Sequence, residues 1–233
     1  MPPHLLPLNK IKKCYHFVFK PRWFTDRPQT SEGNPLKIVS NLPNESHHGP
    51  AAFDKRIKKI IFSAEQIETR TAELAQWINQ TYAKSKDLIL VALLKGSISF
   101  LALLMKSITV DHAIDFIVTS SYSGQTKSSG NIKIVMDLYA DIKGKDVLIV
   151  EDIVDSGITL QKIKENLLTR GPKSLQIMTL LDKPYKRKSA LTVDISGFQA
   201  PDEFLVGFGL DVKEKLRNLP YIGVFDEKYL DEV

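Results

Sequence analysis

The 233-residue chain has one cysteine, Cys14, so no intrachain disulfide can form, and a reducing compartment, the cytoplasm, is expected. No apolar run approaches the length of a membrane-spanning helix, and no membrane partner is expected. Histidine is scarce, five in all, and His47-His48 has no further Cys or His at ligand spacing, so the pair reads as solvated loop rather than a metal site. Neither a second catalytic histidine nor a nucleophilic-cysteine pattern is present. An excess of charge is also missing where it would matter. The net charge is +5, but residues 1–50 hold seven Lys/Arg against three Asp/Glu, which leaves +1 for residues 51–233. A nearly neutral folded part does not call for nucleic acid, and no such partner is expected.

Residues 1–50 mix Pro, Asn, Ser and isolated aromatics without helical or strand period, and Ser40 to Pro50 reads as a polar linker. A poorly ordered N-terminal extension is expected there. Its basic character is compatible with a transit peptide, but Asp26 and Glu32 count against targeting, and a clear apolar core of a secretory signal is lacking. Residues 51–233 have the length and ordinary apolar content of one α/β domain.

What is present is organised around Val147 to Leu160. Val147-Leu148-Ile149-Val150 reads as a strand buried on both faces, which suits the middle of a parallel sheet. Glu151, Asp152 and Asp155 follow at once, then Ser156-Gly157-Ile158-Thr159 leads into a helical pattern from Leu160 to Arg170. In an open α/β sheet, ligands bind at this edge. Backbone amides at a helix start carry partial positive charge, Gly157 permits close approach, and the Ser156 and Thr159 hydroxyls can donate, so the turn can cradle a phosphate. Three carboxylates beside it would repel a bare phosphate. They make sense facing sugar hydroxyls, Mg²⁺ or a proton to be moved, and a phosphorylated sugar fits both halves.

Glu151-Asp152-Ile153-Val154-Asp155-Ser156-Gly157-Ile158-Thr159 resembles the phosphoribosyl pyrophosphate motif of type I phosphoribosyltransferases, in the form used by hypoxanthine-guanine phosphoribosyltransferases. The resemblance implies their fold, a central mostly parallel sheet flanked by helices with a flexible hairpin lid and a small base-binding hood. Glu151, Asp152, Asp155, Ser156, Gly157, Ile158 and Thr159 would bind the phosphoribosyl group. Ile158 departs from members that carry a polar or basic residue there, which removes only a side-chain contact.

The remaining elements carry further likenesses in family order, from about Ile61 to about Glu227. Ile60-Ile61-Phe62 precedes a capping-box signature, Ser63 with Gln66, and a helix with Ile67, Thr71, Leu74, Trp77 and Ile78 on one face. Leu88 to Leu94 reads as a second buried strand and Ile98 to Ile108 as a helix. Between them, Leu94-Lys95-Gly96-Ser97 resembles the pyrophosphate loop, in which the peptide before the lysine is often cis, so Lys95 and Gly96 are expected to bind pyrophosphate. Ala113–Ser121 and Ile132–Leu138 read as strands joined by a Ser/Gly-rich loop, the expected lid, with Ser121 and Tyr122 at its start. A lid has physical sense, since water would capture a ribosyl cation in an open site.

Ser174 to Leu181 reads as a further strand ending in Asp182-Lys183-Pro184, and strands alternating with helices argue for a doubly wound parallel sheet. The resemblance places Lys183 on the exocyclic oxygen of a 6-oxopurine. A cation attracts that oxygen but not the amino group of adenine. Phe204 would stack on the base, with backbone at Leu205 completing the pocket, and Phe204-Leu205-Val206-Gly207-Phe208-Gly209-Leu210-Asp211 would end in a metal ligand. Arg217 would contact pyrophosphate through a guanidinium matched to phosphate oxygens.

The implied reaction transfers the phosphoribosyl group from phosphoribosyl pyrophosphate to hypoxanthine or guanine, giving IMP or GMP and pyrophosphate. Asp155 is the implied catalytic base, while Glu151, Asp152 and Asp211 are the implied metal set for Mg²⁺. A homodimer or homotetramer is expected. Preference among hypoxanthine, guanine and xanthine stays open. Two other readings remain, a related enzyme for a different acceptor such as xanthine or another base, and a non-catalytic regulator that senses phosphoribosyl pyrophosphate and binds nucleic acid or another protein, but a sensor could lose the acids, lysine and arginine that are all present here.

Overall fold

A computed structural model describes residues 54–120 and 133–233; the expected N-terminal extension and the lid residues Ser121 and Tyr122 lie outside the described residues. The main sheet has six strands in the order β4-β3-β2-β5-β6-β7. In chain order these are β2 (Leu88–Leu94), β3 (His112–Ser120), β4 (Lys133–Met136), β5 (Asp146–Val154), β6 (Ser174–Asp182) and β7 (Ile195–Gln199). All neighbours are parallel except β3 and β4, the antiparallel stem of the expected lid hairpin. Among the described residues no helix is long and apolar enough to cross a membrane.

The apolar runs explain the layering. Leu88, Leu90 and Ala92 of β2 with Leu148 and Val150 of β5 turn to one face, where α1 (Ala64–Thr81) and α2 (Ile98–Met105) cover them with Ile67, Leu74, Ile78, Phe100 and Leu104. Ile89, Val91, Leu93, Val147 and Ile149 turn to the other, under Leu160, Ile163 and Leu167 of α3 (Ile158–Leu168). A period of two with both faces covered is the pattern of a central parallel strand. Each fully buried Leu, Ile, Val or Phe among them is worth about 1.5–3 kcal/mol, so the strands form a rigid floor for whatever their ends carry.

A second, antiparallel sheet, β1-β9-β8, joins β1 (Ile57–Phe62) to β8 (Leu205–Val206) and β9 (Ile222–Phe225). This is the small hood, assembled from both ends of the described domain around Ile57, Val206, Leu216, Tyr221 and Phe225. The capping box at Ser63 is formed, with the Gln66 amide donating to Ser63 Oγ and the Ser63 amide donating to Gln66 Oε1.

Several boundaries differ from the sequence reading. Helix α2 stops at Met105, not Ile108, because Asn79 of α1 takes over the next backbone groups, donating to the Ser107 carbonyl and accepting from the Thr109 amide. Strand β5 continues through Glu151 and Asp152 to Val154, since β6 offers ladder partners as far as Asp182. Helix α3 begins at Ile158 and ends at Leu168, where the Arg170 and Gly171 amides turn back onto Leu167 and Leu168. Strand β4 ends at Met136, and the Leu138 amide turns instead to the Asp137 carboxylate.

Candidate active site

Parallel strands bring their C-terminal ends to one rim, so β2, β5 and β6 deliver Lys95, Asp155 and Lys183 to the same side of the sheet. Between β5 and α3 the chain turns through Gly157, at φ +73°. A Cβ there would also lie 2.6 Å from Ser189 Oγ and 2.8 Å from Arg187 Cδ, so this left-handed, crowded position requires glycine. The first-turn amides of α3 have no acceptor within the helix, that of Ile158 reaching Ser156 Oγ at 3.5 Å, and Thr159 is exposed beside them. Ile158 is exposed as well, an apolar side chain at the first position of the helix.

The segment after β6 grips this loop. Arg187 donates through one guanidinium nitrogen to the Asp155 carbonyl, at 2.6 Å, and pairs through another with Asp182. The Lys188 amide and the Ser189 hydroxyl both donate to the Ser156 carbonyl. Sequence reasoning missed Arg187 as a holder of the loop, because only the fold brings the basic run 183–188 against residues 155–157.

Glu151 and Asp152 lie at the end of β5 with little to offset their charge. Burial pushes the Glu151 carboxyl well above the ordinary range, with Asp152 adding to the effect, and Glu151 Oε2 is buried without a hydrogen-bond partner. Burial also raises Asp152 to about 6, against the opposing backbone hydrogen bonds of Ile153 and Asp152 itself and the charge of Arg217, with Asp211 raising it further. Both carboxyls therefore favour a nearby cation or hydroxyl donor. Asp152 reaches over Gly96, where an added Cβ would fall 1.7 Å from Asp152 Oδ2.

A stability prediction follows from the raised pKa of Glu151. Its folded pKa exceeds its unfolded one, so the stability it contributes is full below the ordinary carboxylate pKa and is lost as pH rises through the folded value. Glu151→Gln keeps the neutral form at every pH. It is expected to raise the Tm of the free protein at pH 8 by about 3 °C, roughly 1 kcal/mol, with the gain shrinking towards pH 5. Thermal scans at the two pH values check this; a lower Tm for the variant at pH 8 would show that the carboxylate is better satisfied than its surroundings indicate.

On the facing loops, the Leu94–Lys95 peptide is cis, as the resemblance implies. Arg217 donates to the Gly209 carbonyl at 2.7 Å and pairs with Asp211 at 2.8 Å, while its Nε is buried without a partner. Gly209, also missed in the sequence reading, has φ +102° and packs its backbone on Gly96, leaving 2.0 Å between an added Cβ and the Gly96 carbonyl oxygen. The structure thus brings Lys95, Gly96, Asp152, Asp211 and Arg217 together. Glu151, Asp152 and Asp211 do not form one cage: among the described residues no three His, Cys, Asp or Glu groups are placed to hold an ion by themselves.

A cleft of about 620 Å³ opens beside the phosphate loop, lined by Asp155, Lys183, Lys186, Asp202, Phe204 and Phe225. Lys183 is 4% exposed and donates to the Glu203 carbonyl at 2.8 Å. Burial lowers its pKa, Lys186 adding to this and Asp155, Asp202 and Glu203 opposing it. Phe204 is 45% exposed and meets Phe225 edge to face, leaving a ring face for a planar ligand, while Leu205 is buried and supplies the β8 backbone.

A parallel sheet with a glycine turn leading into a helix at its carboxyl edge, acids beside it and a hooded cleft is the arrangement in which α/β enzymes bind nucleotides or sugar phosphates. The sequence model of the phosphoribosyl transferase domain matches residues 59–213, well over half of the chain, and the chain belongs to that family. It is 47% identical over 170 residues to the hypoxanthine phosphoribosyltransferase of Escherichia coli K12, a match covering 72% of this chain and 96% of that protein. It is 46% identical over 176 residues to a hypoxanthine-guanine phosphoribosyltransferase of Streptococcus thermophilus, covering 76% and 97%. Among solved structures, a hypoxanthine phosphoribosyltransferase of Staphylococcus aureus superposes with a TM-score of 0.71 at 43% identity, over 74% of this chain and 94% of that one.

Proposed function

We propose that this enzyme serves purine salvage, transferring the 5-phosphoribosyl group of phosphoribosyl pyrophosphate to N9 of hypoxanthine or guanine and releasing IMP or GMP with pyrophosphate. The observation that carries the reading is the shared cleft: Asp155, from the phosphate loop, and Lys183, from the next strand, line one cavity whose wall is the exposed ring of Phe204. The loop amides with Ser156 and Thr159 hold the 5′-phosphate, and Glu151 and Asp152 face the ribose hydroxyls. The bond from the anomeric carbon to the pyrophosphate oxygen breaks, and a bond to N9 forms. Positive charge building on the ribosyl ring is stabilised by the adjacent carboxylates. Lys183 donates to the 6-oxo group, Phe204 stacks on the ring, backbone at Leu205 completes the pocket, and Asp155 takes the purine proton at N7. Lys95, Gly96 and Arg217 receive the pyrophosphate.

Mg²⁺ fits this donor set. Glu151 and Asp152 are desolvated and Asp211 is paired with Arg217, and since the three form no closed cage, an ion here would complete its shell with substrate oxygens and water, the usual way this ion is held. When bound, it would neutralise charge on the pyrophosphate group. A cytoplasmic location and a homodimer or homotetramer belong to the same reading; Ile114, Val135 and Met136, exposed around β3 and β4, are apolar surface available for self-association.

Lys183→Gln tests the base site. The expected result is a fall of at least tenfold in kcat/KM for hypoxanthine and guanine, on the order of 1.4 kcal/mol, with little change in KM for phosphoribosyl pyrophosphate. An unchanged specificity constant would remove Lys183 from the base pocket.

A further inference from the structure

The two cations assigned to pyrophosphate already hold an anion that belongs to the protein. Glu214 Oε2 lies 2.8 Å from Lys95 Nζ and 3.2 Å from a terminal nitrogen of Arg217, so one carboxylate oxygen bridges side chains 122 residues apart in sequence. We propose that Glu214 is an internal competitor for pyrophosphate, engaging Lys95 and Arg217 in the free enzyme and being displaced by pyrophosphate or by the diphosphate arm of the substrate. The inference rests on the assignment of Lys95 and Arg217 to pyrophosphate made above.

The backbone supports a role for this residue beyond turn formation. Val212 and Lys215 exchange both backbone hydrogen bonds, which makes Lys213-Glu214 the central pair of a two-residue hairpin turn. Both central residues have positive φ, +45° and +67°. Such turns favour Asn and Gly, so Lys-Glu is a costly choice for the turn alone. The Glu214 amide donates to Asp211 Oδ2 at 2.8 Å, which ties the turn to the acid expected to meet the metal. The carboxylate is thus carried by a braced turn to the cations.

The competition is modest by construction. Lys95 and Glu214 are both more than 60% exposed, so solvent and salt screen the bridge, and a polyvalent anion with several oxygens outcompetes a single carboxylate. The consequence is tuning: Glu214 weakens pyrophosphate, hastens its departure and keeps the cations oriented between turnovers.

The test measures the inhibition constant of pyrophosphate, competitive with phosphoribosyl pyrophosphate, for the wild type, Glu214→Gln, Glu214→Asn and Arg217→Ala. Glu214→Asn is included because asparagine suits positive φ, so its effect on the fold differs from that of glutamine while its effect on charge is the same. Both neutral variants are expected to bind pyrophosphate about three- to tenfold more tightly at low ionic strength, with the gain falling towards unity at 0.5 M salt. Arg217→Ala is expected to weaken it more than tenfold. Unchanged or weaker binding in both Glu214 variants, with Arg217→Ala impaired, overturns the competitor role alone. An unimpaired Arg217→Ala overturns the pyrophosphate assignment and the competitor role with it.

Discussion

Asp155→Asn is expected to lower turnover by about 10² to 10⁴, the usual contribution of a positioned general base, while phosphoribosyl pyrophosphate binds within a few-fold of normal. The separation follows from geometry. Asp155 lines the cleft shared with Lys183, but its carbonyl, which asparagine retains, is the group that Arg187 holds. The phosphate loop therefore keeps its brace. A second effect accompanies the first. The Asp155 charge opposes the burial that lowers Lys183, so its loss is expected to lower Lys183 further and move the alkaline limb of the pH profile for kcat/KM to lower pH. Single-turnover rates, substrate affinity and the pH profile check this. Lost affinity with a normal single-turnover rate would make Asp155 a ligand of the sugar phosphate, and near-normal values of all three would remove it from the chemistry.

Gly209→Ala is expected to damage both stability and pyrophosphate handling. A Cβ at φ +102° is strained by itself, and here it would also fall 2.0 Å from the Gly96 carbonyl oxygen and 3.1 Å from its carbon. Both contacts are to backbone, so no side chain can swing aside. The strain alone is on the order of 1–3 kcal/mol, and the two loops must separate to relieve the contact. Separation moves Gly96 away from Arg217, which donates to the Gly209 carbonyl. A Tm lowered by several degrees and pyrophosphate or phosphoribosyl pyrophosphate binding weakened by tenfold or more are expected, measured by thermal scanning and calorimetry. Wild-type values for both would mean that the two loops part without consequence.

The strands were legible because their burial is two-sided. Leu88 to Leu94 and Val147 to Val150 leave a central parallel sheet as the natural reading, and Ser63 with Gln66 marks the start of α1 through a local hydrogen-bond exchange. What was not legible depends on partners distant in sequence. Asn79 decides where α2 ends, and β6 decides that β5 runs on through its acids. The site divides the same way. Asp155, Lys183 and Phe204 could be named from motifs carried by single segments, whereas Arg187, Gly209 and Glu214 acquire their contacts only when strand ends, loops and hood meet. A lysine and a glutamate at positions 95 and 214 give no sequence signal of pairing, because nothing local requires it.

The central claim is that the hooded cleft selects a 6-oxopurine for transfer of a phosphoribosyl group. The most direct measurement is kcat/KM of the full chain with phosphoribosyl pyrophosphate and Mg²⁺ for hypoxanthine, guanine, xanthine and adenine, with nucleotide and pyrophosphate both quantified. Hypoxanthine or guanine should give IMP or GMP with one pyrophosphate each, and adenine should be slower by at least tenfold, since the buried Lys183 ammonium offers its amino group no acceptor. Equal use of adenine, or pyrophosphate release without nucleotide from any 6-oxopurine, would contradict the account.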